Sequence, residues 1–398
     1  MKKAAFLILL SILLSAQLSW SQQDTLSRNR FLEMQVDRVV ETMSLERKVA
    51  QLVCISFTSS DSQADRSRQD EFVSNLGIGG VMPLRGQLYA TLERINQFQR
   101  SAKIPLMVCV DGEYGLAMRF REFPAYPSNL SLAQYPDSVL VEVGRGVAAE
   151  LKQVNFTVDF APVIDVNNNP GNKVIGKRSY GSDPDTVSRK GCAFIRGMQS
   201  EGIIACAKHF PGHGDTSVDS HKGLPVLNFS RERLDKLELV PFRAAIEAGV
   251  KMIMVGHLSV PSLDPSGTPA SISRIIVTDL LRREMGFRGL IVTDALNMKG
   301  VLNACGGDGA KAALEAYKAG ADILLMPLDA AAAVKLIAGK IKSGELSESQ
   351  LDEKVRRVLL AKVQAGLLDP SYSPLVNTAG VNLQISAELL NAFSSDNF

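Results

Sequence analysis

The sequence predicts an α/β fold, a single closed (β/α)8 barrel of the TIM type. Eight short apolar segments recur along the chain, and segments with helical periodicity separate them. Strands that are apolar throughout, without polar alternation, are typical of parallel sheets covered by helices on both faces. Several of these segments end in polar residues, and in a barrel those ends converge on one mouth. An open doubly wound sheet, the alternative, would spread them along an edge, so the barrel is favoured.

The eight predicted strands extend over most of the chain. In the first half they are QLVCISF (51–57), GGVMPL (79–84), PLMVCVD (105–111) and FTVDFAPVIDV (156–166). In the second half they are IIACAKHF (203–210), KMIMVGH (251–257), LIVTDAL (290–296) and DILLMPL (322–328). Longer segments with helical periodicity lie between them, such as RERLDKLELVPFRAAIEAGV before the sixth strand. This alternation of strand and helix is the pattern of a parallel barrel.

Further helices are expected at the two ends of the barrel. Residues 22–48 predict an amphipathic helix before the first strand. Ser347 is predicted to cap a closing helix through LDEKVRRVLLAKVQAGL, which Gly366 and Pro370 end. The barrel domain is therefore expected to cover residues 22–370. Residues 371–398 are expected to form a polar tail without a pattern until the short segment ISAELLNAF.

The first 21 residues have the pattern of a secretory signal peptide. Two lysines after Met1 are followed by an apolar run from Ala4 to about Ala16, and small residues follow at Ser19 and Ser21. The run is too short to span a bilayer comfortably, and no cysteine follows it closely as a lipid anchor would require. We therefore expect an exported protein, periplasmic or extracellular, without stable membrane insertion after cleavage.

The composition excludes several classes of partner. The formal net charge is +2 and the basic residues are scattered, so no nucleic acid partner is expected. Cys54, Cys109 and Cys206 lie inside apolar strand-like segments, where a thiol packs as a small hydrophobe. We expect free, buried thiols, with a single disulfide left open as an alternative. The sequence carries no signal for an oligomeric state.

Polar residues occur at or just after the carboxyl ends of five predicted strands: Asp111, Asp165, Lys208 with His209, His257, and Asp294. A lone aspartate in such a place is often a helix N-cap, which is one interpretation of Asp294. Because Asp294 would face the other polar strand ends, it is also a candidate nucleophile or metal ligand. The sequence of the strand does not decide between these interpretations.

The loop KHFPGHGDTSVDSH, from Lys208 to His221, holds three of the four histidines of the chain. The spacing from His209 through His213 to His221 matches no common zinc pattern, and Lys208 would add a positive charge. We therefore expect no metal and no cofactor. Acid–base chemistry is the alternative, because Asp219 lies two residues before His221 and a carboxylate can orient an imidazole.

These residues alone indicate an enzyme whose aspartate and histidine share the mouth of a barrel. Arg119, Arg178, Lys208 and His209 would be available to hold a polar substrate. Hydrolysis of a glycosidic bond fits this set, and so do aldol and phosphate chemistries. The residues considered singly leave these three possibilities open.

Five stretches together resemble family 3 glycoside hydrolases, in the branch of the β-N-acetylglucosaminidases. They are VDGEYG with MRF, FAPVIDVN, GKRSYGSDP, KHFPGHGDTSVDSHKGLP and LIVTDALNMKG. The resemblance extends from about Met43 to Gly366 and the stretches follow in family order. The Lys-His-Phe-Pro-Gly-His-Gly block is highly specific for this family.

The resemblance implies a retaining mechanism and assigns roles to single residues. Asp294 matches the nucleophile, His221 the acid/base residue and Asp219 the residue that orients His221. A second group matches positions that hold the hydroxyls of the sugar: Asp111, Arg119, Arg178, Lys208 and His209. A structural salt bridge at the barrel rim is the alternative for this group. His213 and Asp215 are expected to shape the loop, and His257 to line the pocket or cap the sixth strand.

The resemblance also implies a substrate. Relatives that cleave glucosides or xylosides usually take their acid/base glutamate from a second domain, whereas this chain has the Asp-Ser-His loop. We therefore expect hydrolysis of terminal N-acetylglucosamine from β-linked glycans such as peptidoglycan fragments. A glucosidase, a xylosidase and a phosphorylase remain alternatives. One departure stands out, because residues 111–116 replace the commoner Asp-x-Glu-Gly-Gly-Arg and lack its arginine.

Overall fold

The computed structural model describes residues 22–216, 223–369 and 371–394, and it confirms the predicted (β/α)8 barrel. The eight parallel strands are β1 (Val53–Phe57), β2 (Gly80–Pro83), β3 (Met107–Val110), β4 (Val158–Asp159), β5 (Ile204–Phe210), β6 (Met252–Val255), β7 (Leu290–Thr293) and β8 (Leu324–Leu325). Each lies inside one of the predicted apolar segments. The predicted signal segment, residues 1–21, lies outside the described residues.

The strands pair in sequence order, and the sheet closes on itself between β7 and β8. Along the sheet each strand is parallel to its neighbours, and β1 pairs with both β2 and β8. The pairing between β7 and β8 is short. Val292 forms a β-bridge with Ile323, and the Thr293 N–H donates to the Ile323 carbonyl at 3.1 Å. Closure places the carboxyl ends of all eight strands around one mouth.

Helices surround the strands and cover the outer face of the sheet. They are α1 (Gln22–Thr42), α2 (Leu45–Ala50), α3 (Gln63–Glu71), α4 (Leu88–Ser101), α5 (Asn129–Leu132), α6 (Asp137–Gln153), α7 (Pro184–Ser200), α8 (Arg231–Lys236), α9 (Val240–Glu247), α10 (Lys299–Ala304), α11 (Gly309–Ala319), α12 (Ala330–Lys342), α13 (Glu348–Gln364) and α14 (Ala387–Ser394). Between β6 and β7 the chain forms a π-helical segment, Ile275–Glu284, where an ordinary helix was expected.

The helix boundaries follow from their capping residues. The segment predicted as one helix, 22–48, is two helices, because the Ser44 hydroxyl accepts a hydrogen bond from the Arg47 N–H and starts α2. Ser347 caps α13 as predicted, by accepting from the Gln350 N–H. Gly366 follows α13 with φ +76°, the left-handed conformation that glycine adopts without strain.

The amino end of the barrel is filled by a core in which Lys362 is buried. Cys54 and Cys109 lie in this core, and all five cysteines are free and buried, which confirms the prediction for the thiols. Lys362 of α13 is fully buried and donates to the Gln51 side-chain oxygen at 2.9 Å. Burial lowers the pKa of Lys362 to about 7, although the neighbouring Cys109 and Cys54 oppose this effect.

The segment after α13 packs against the barrel. The Asn96 side chain exchanges two hydrogen bonds with the backbone of Val376, at 2.7 and 3.0 Å. Farther along, the ring of Phe393 in α14 packs edge-on against Tyr135 with centroids 5.2 Å apart. The apolar positions of ISAELLNAF thus form a docked helix. Across the described ranges, no helix is both long and apolar enough to cross a membrane.

Candidate active site

Polar side chains gather at the carboxyl ends of five strands, as the sequence predicted. The structure places Asp111 after β3, Asp165 after β4, Lys208 and His209 at the end of β5, His257 after β6, and Asp294 after β7. Because the barrel is closed, these residues approach one another across the mouth. Asp219 and His221 lie outside the described residues, so their predicted roles stay predictions.

Asp111 is held between two cations. Arg119 donates to its Oδ2 at 2.5 Å, and the Lys208 ammonium donates to its Oδ1 at 2.7 Å. The Asp111 side chain stays 21% exposed, whereas that of Lys208 is only 2% exposed. The carboxylate of Asp111 is therefore held by a cation at each oxygen and stays partly accessible to solvent.

Lys208 also contacts Glu113, at 2.7 Å from the Glu113 Oε1. Burial alone would lower the pKa of Lys208, but Asp111 and Glu113 outweigh burial and raise it. The ammonium is therefore charged at any physiological pH and keeps three N–H donors at the base of the mouth. Two carboxylates on one buried ammonium make a rigid anchor for the segment after β3.

Glu113 joins this anchor to the loop after β4. Its carboxylate accepts two hydrogen bonds from Arg178, 2.8 Å from Nε and 2.7 Å from a terminal nitrogen. Burial would raise the pKa of Glu113, but Lys208 and Arg178 outweigh burial and lower it well below the ordinary range. A bidentate pair of this kind fixes the plane of the guanidinium. Arg178 thus reaches the mouth in one orientation.

Asp165 fixes His209. Its Oδ2 lies 2.7 Å from His209 Nδ1, and its Oδ1 accepts from the backbone N–H groups of His209 and His213 at 3.1 and 2.7 Å. Burial opposes the charge of Asp165, but His209 and the hydrogen bonds lower its pKa overall. The carboxylate accepts a hydrogen bond from the Nδ1–H of His209, and Nε2 of the same ring lies 3.5 Å from a terminal nitrogen of Arg178.

Asp294 presents an ionised carboxylate to the same mouth. The side chain is partly exposed, and its Oδ1 accepts from the Ala295 N–H at 2.8 Å. Its buried surroundings alone would raise its pKa, but His257, His209 and Lys208 outweigh them and lower it. The N-cap interpretation is wrong, because the next helix, α10, begins at Lys299.

The segment after Asp294 is held by His257, which is fully buried. Its Nε2 lies 2.9 Å from the Ala295 carbonyl, and its Nδ1 lies 2.6 Å from the Ser271 hydroxyl. A carbonyl only accepts, so Nε2 carries the proton that is donated to Ala295. His257 thereby positions the backbone next to the Asp294 carboxylate. It holds the segment after β7 as well as following β6, so its role is wider than that of a cap on β6.

The match to a known family covers most of the barrel. Residues 44–361 match the family model described as "Glycosyl hydrolase family 3 N terminal domain". The chain belongs to glycosyl hydrolase family 3. This confirms the family that the five sequence stretches predicted.

Curated relatives of this family 3 chain carry hexosaminidase names. It is 33% identical to "Beta-hexosaminidase A" of Pseudoalteromonas piscicida, over 76% of this chain and 56% of that protein. It is 37% identical to "Beta-hexosaminidase" of Tolumonas auensis, over 69% of this chain and 82% of that protein. The chain spans 56% and 61% of the length of the first two curated relatives that it matches.

Solved structures show the same family 3 fold. The barrel superposes on a β-N-acetylglucosaminidase from Paenibacillus sp. FPU-7 with a TM-score of 0.79 and 33% identity, covering 89% of this chain and 68% of that one. It also superposes on a β-N-acetylhexosaminidase from Beutenbergia cavernae with a TM-score of 0.73 and 29% identity, covering 81% of this chain and 99% of that one.

The first part of the histidine loop, up to residue 216, is fixed to the family 3 barrel by buried and half-buried polar contacts. The Asn172 amide donates to the carbonyls of His213 and Gly214 at 2.8 and 3.0 Å. The Asp215 carboxylate accepts from Asn168 at 2.9 Å and from Arg233 at 3.3 Å. His213 and Asp215 therefore shape the loop up to residue 216, as the resemblance implied.

Two features of this site bear on what the sequence indicated. Glu113 binds both Lys208 and Arg178, yet it was not among the predicted site residues; its place two positions after Asp111 in the Asp-x-Glu motif was the available signal. Leu116 occupies the position of the arginine in the commoner motif and is fully buried in the core.

In the part of the chain that the structure describes, no group of three or more His, Cys, Asp and Glu residues is arranged to hold a metal.

Proposed function

We propose that this family 3 barrel is a retaining exo-β-N-acetylglucosaminidase, a β-N-acetylhexosaminidase that removes terminal N-acetylglucosamine from β-linked glycans. The observation that carries the proposal is the Asp294 carboxylate, ionised at the end of β7, at the same mouth as the Asp111–Lys208 ion pair. An anionic nucleophile beside fixed donors and acceptors for sugar hydroxyls is what a retaining glycosidase requires.

The reaction has two displacements. Asp111, Lys208, His209 and Arg178 hold the hydroxyls of the terminal sugar, with Arg119 holding Asp111. The Asp294 carboxylate attacks the anomeric carbon while His221, as imidazolium, donates its proton to the leaving oxygen, so the glycosidic bond breaks as the ester forms. Neutral His221 then takes a proton from water, the water oxygen attacks the same carbon, and Asp294 is released.

The ion pairs supply preorganisation for this reaction. Lys208 and Glu113 are nearly inaccessible, with side chains 2% and 1% exposed, so water does not screen the contacts between them. The groups that meet the sugar are thereby oriented before the substrate arrives, which reduces the reorganisation needed in the transition state. His221 would complete the site from the loop whose first part Asn172 and Arg233 hold.

The names of the relatives support N-acetylglucosamine as the sugar. Hexosaminidase names occur among the curated relatives at 33–37% identity. A second candidate sugar is glucose, because a relative from Cellulomonas fimi, 29% identical, is named "Beta-N-acetylglucosaminidase/beta-glucosidase". Phosphorolysis is a second candidate reaction, because a β-glucoside phosphorylase superposes with a TM-score of 0.82 at 25% identity.

We further propose that the protein acts outside the cytoplasm on peptidoglycan fragments. The signal pattern in residues 1–21 supports export to the periplasm or the medium. Peptidoglycan contains β-linked N-acetylglucosamine, and this polymer lies outside the cytoplasm. Mass determination of the protein recovered from the native host would test the cleavage, since export with cleavage removes about 21 residues.

A panel of 4-nitrophenyl glycosides tests the proposed activity. We expect kcat/KM for the N-acetyl-β-glucosaminide to exceed that for the β-glucoside and the β-xyloside, and rates that do not depend on added phosphate. Asp294→Asn should lower kcat at least about a thousandfold, because an amide is a far weaker nucleophile than a carboxylate.

The matched control is Asp279→Asn, the same chemical change at a surface carboxylate that pairs with Arg283 at 2.8 Å. This variant should keep wild-type rates. A preference for the glucoside would replace the proposed sugar, and release of a sugar phosphate in phosphate buffer would replace hydrolysis. Undiminished turnover by Asp294→Asn would remove Asp294 as the nucleophile.

A further inference from the structure

Asp159 is a fully buried carboxyl group at the mouth that none of the roles above uses. It is the last residue of β4 and is 0% exposed. Its Oδ1 accepts the backbone N–H of Gly112 at 2.7 Å. Its Oδ2 is buried and accepts no hydrogen bond from any residue in the described ranges. A buried carboxyl oxygen without a donor is costly to keep charged, so its retention needs a reason.

The Asp159 carboxyl group packs directly beneath the backbone that carries the sugar-binding acid. Val110 pairs with Asp159 across β3 and β4, so the segment after β3 passes over the carboxyl group. A methyl group added at Gly112 would lie 3.0 Å from Oδ2 and 3.2 Å from Oδ1, which is tighter than ordinary contact. Gly112 joins Asp111 to Glu113, so the distance between the Gly112 backbone and the Asp159 carboxyl group affects the position of both acids.

Asp159 lies near two carboxylates and the ammonium that they share, so its own protonation state affects the charge balance of this group. Asp111 and Glu113 share the Lys208 ammonium, and within the described ranges Asp159 forms no ion pair. Burial raises the pKa of Asp159 to about 7; Asp111 and Glu113 add to this effect, while the Gly112 N–H and Lys208 oppose it. The neutral groups Tyr180 and Cys206 also face it. The Asp159 carboxyl group is therefore held in a setting that favours its neutral form over the charged one.

We infer that Asp159 is a positioning residue that holds Gly112 and thereby sets the Asp111 carboxylate against the sugar, and that it does so as the neutral acid. The inference rests on the proposed function, in that the ligand is the terminal sugar. Ionised Asp159 places a third carboxylate near Lys208 and draws the ammonium away from Asp111. Substrate affinity should therefore fall as the pH rises through neutrality, and this effect on KM is separate from the change in kcat that loss of the His221 proton produces.

The test measures kcat and KM for 4-nitrophenyl N-acetyl-β-glucosaminide from pH 5.5 to 8.5. Wild-type KM should rise about threefold to tenfold between pH 6 and 8. Asp159→Asn keeps an oxygen for the Gly112 N–H and cannot ionise, so its KM should match the wild type at pH 6 and stay flat. Asp159→Ala should raise KM about tenfold at every pH with kcat within about threefold.

The same rise in KM with pH in Asp159→Asn as in the wild type would overturn the inference, and so would wild-type KM in Asp159→Ala. If Asp159→Ala does not fold, Gly112→Ala replaces it, since the added methyl group displaces the same contact and should raise KM similarly. Gly112→Ala with wild-type KM would also overturn it. A wild-type protein that turns over no aryl glycoside counts against the proposed function instead, which separates the two failures.

Discussion

Two lysines are completely buried at opposite ends of the barrel, and their charge states differ. Lys208 at the mouth contacts two carboxylates, at 2.7 Å each, and these raise its pKa. Lys362 at the amino end contacts a neutral amide, and burial lowers its pKa to about 7. The same side chain is thus a permanent cation at one end, whereas at the other it exchanges its proton near neutral pH.

The comparison explains why one buried lysine of this barrel keeps its charge and the other does not. A buried ion is retained only when partners offset its desolvation, which costs several kcal/mol per ion. At the mouth the partners of Lys208 are acids that the proposed reaction also uses, so its charge is retained. Among the described residues no acid pairs with Lys362, whose amine holds the Gln51 side chain ahead of β1. Acidic partners therefore decide whether a buried lysine of this barrel keeps its charge.

The largest effect that this comparison predicts follows from removing the mouth lysine. Lys208→Met leaves Asp111 and Glu113 without their shared cation, so we expect kcat/KM for the aryl N-acetylglucosaminide to fall about a thousandfold or more. The free energy of unfolding should fall by about 3–5 kcal/mol, because breaking a buried ion pair leaves unpaired charges. Steady-state kinetics and urea unfolding at pH 7 measure the two effects.

Lys236→Met is the matched control for that change. Lys236 pairs with Glu232 on the surface, with both side chains more than 70% exposed. A surface pair of this kind contributes less than about 1 kcal/mol, so activity and stability should stay near the wild type. Lys208→Met with kcat/KM within tenfold of the wild type would show that the mouth lysine does not organise the site.

A smaller effect is expected at the amino end, and it depends on pH. In the folded state Lys362 loses its proton near pH 7, whereas in the unfolded chain it keeps the proton up to about pH 10.4. The unfolded state therefore binds more protons between those values, and stability should rise with pH across this window. Below pH 7 the full cost of burying the charge is present.

Lys362→Met should remove that cost. We expect the variant to gain about 1–4 kcal/mol in the free energy of unfolding at pH 6, and less at pH 9. Denaturant unfolding at both values tests this, with kcat/KM unchanged at each. A gain that is equal at the two pH values would mean that the charge of Lys362 does not titrate in the folded protein as described.

The barrel was predictable because its cause is local. Eight apolar segments separated by helical ones predict a parallel sheet covered by helices. The mouth residues Asp111, Lys208 and Asp294 lie at the ends of these segments, so the sequence alone indicates their place at the mouth. Glu113 was not predicted, because its burial depends on Arg178, which approaches from 65 residues along the chain. Periodicity within a segment carries no information about such a contact.

Asp159 was missed for a different reason. The apolar segment 156–166 was interpreted as one strand, which made Asp159 an interior residue and Asp165 the residue at the strand end. In the structure the strand comprises only Val158 and Asp159, so Asp159 lies at the mouth itself. Apolar composition continues after the strand because the following segment is buried as well. Composition predicts burial, but it does not locate the residue at which pairing stops.

The central claim is that the Asp294 carboxylate forms a covalent bond to the sugar. A slowly hydrolysed, fluorinated and activated N-acetylglucosaminide should leave the protein heavier by one fluorinated sugar in intact mass spectrometry, with the added mass on the peptide that contains Asp294. The Asp294→Asn variant should gain no mass. Release of the leaving group without an adduct, or an adduct on a different residue, would contradict the account.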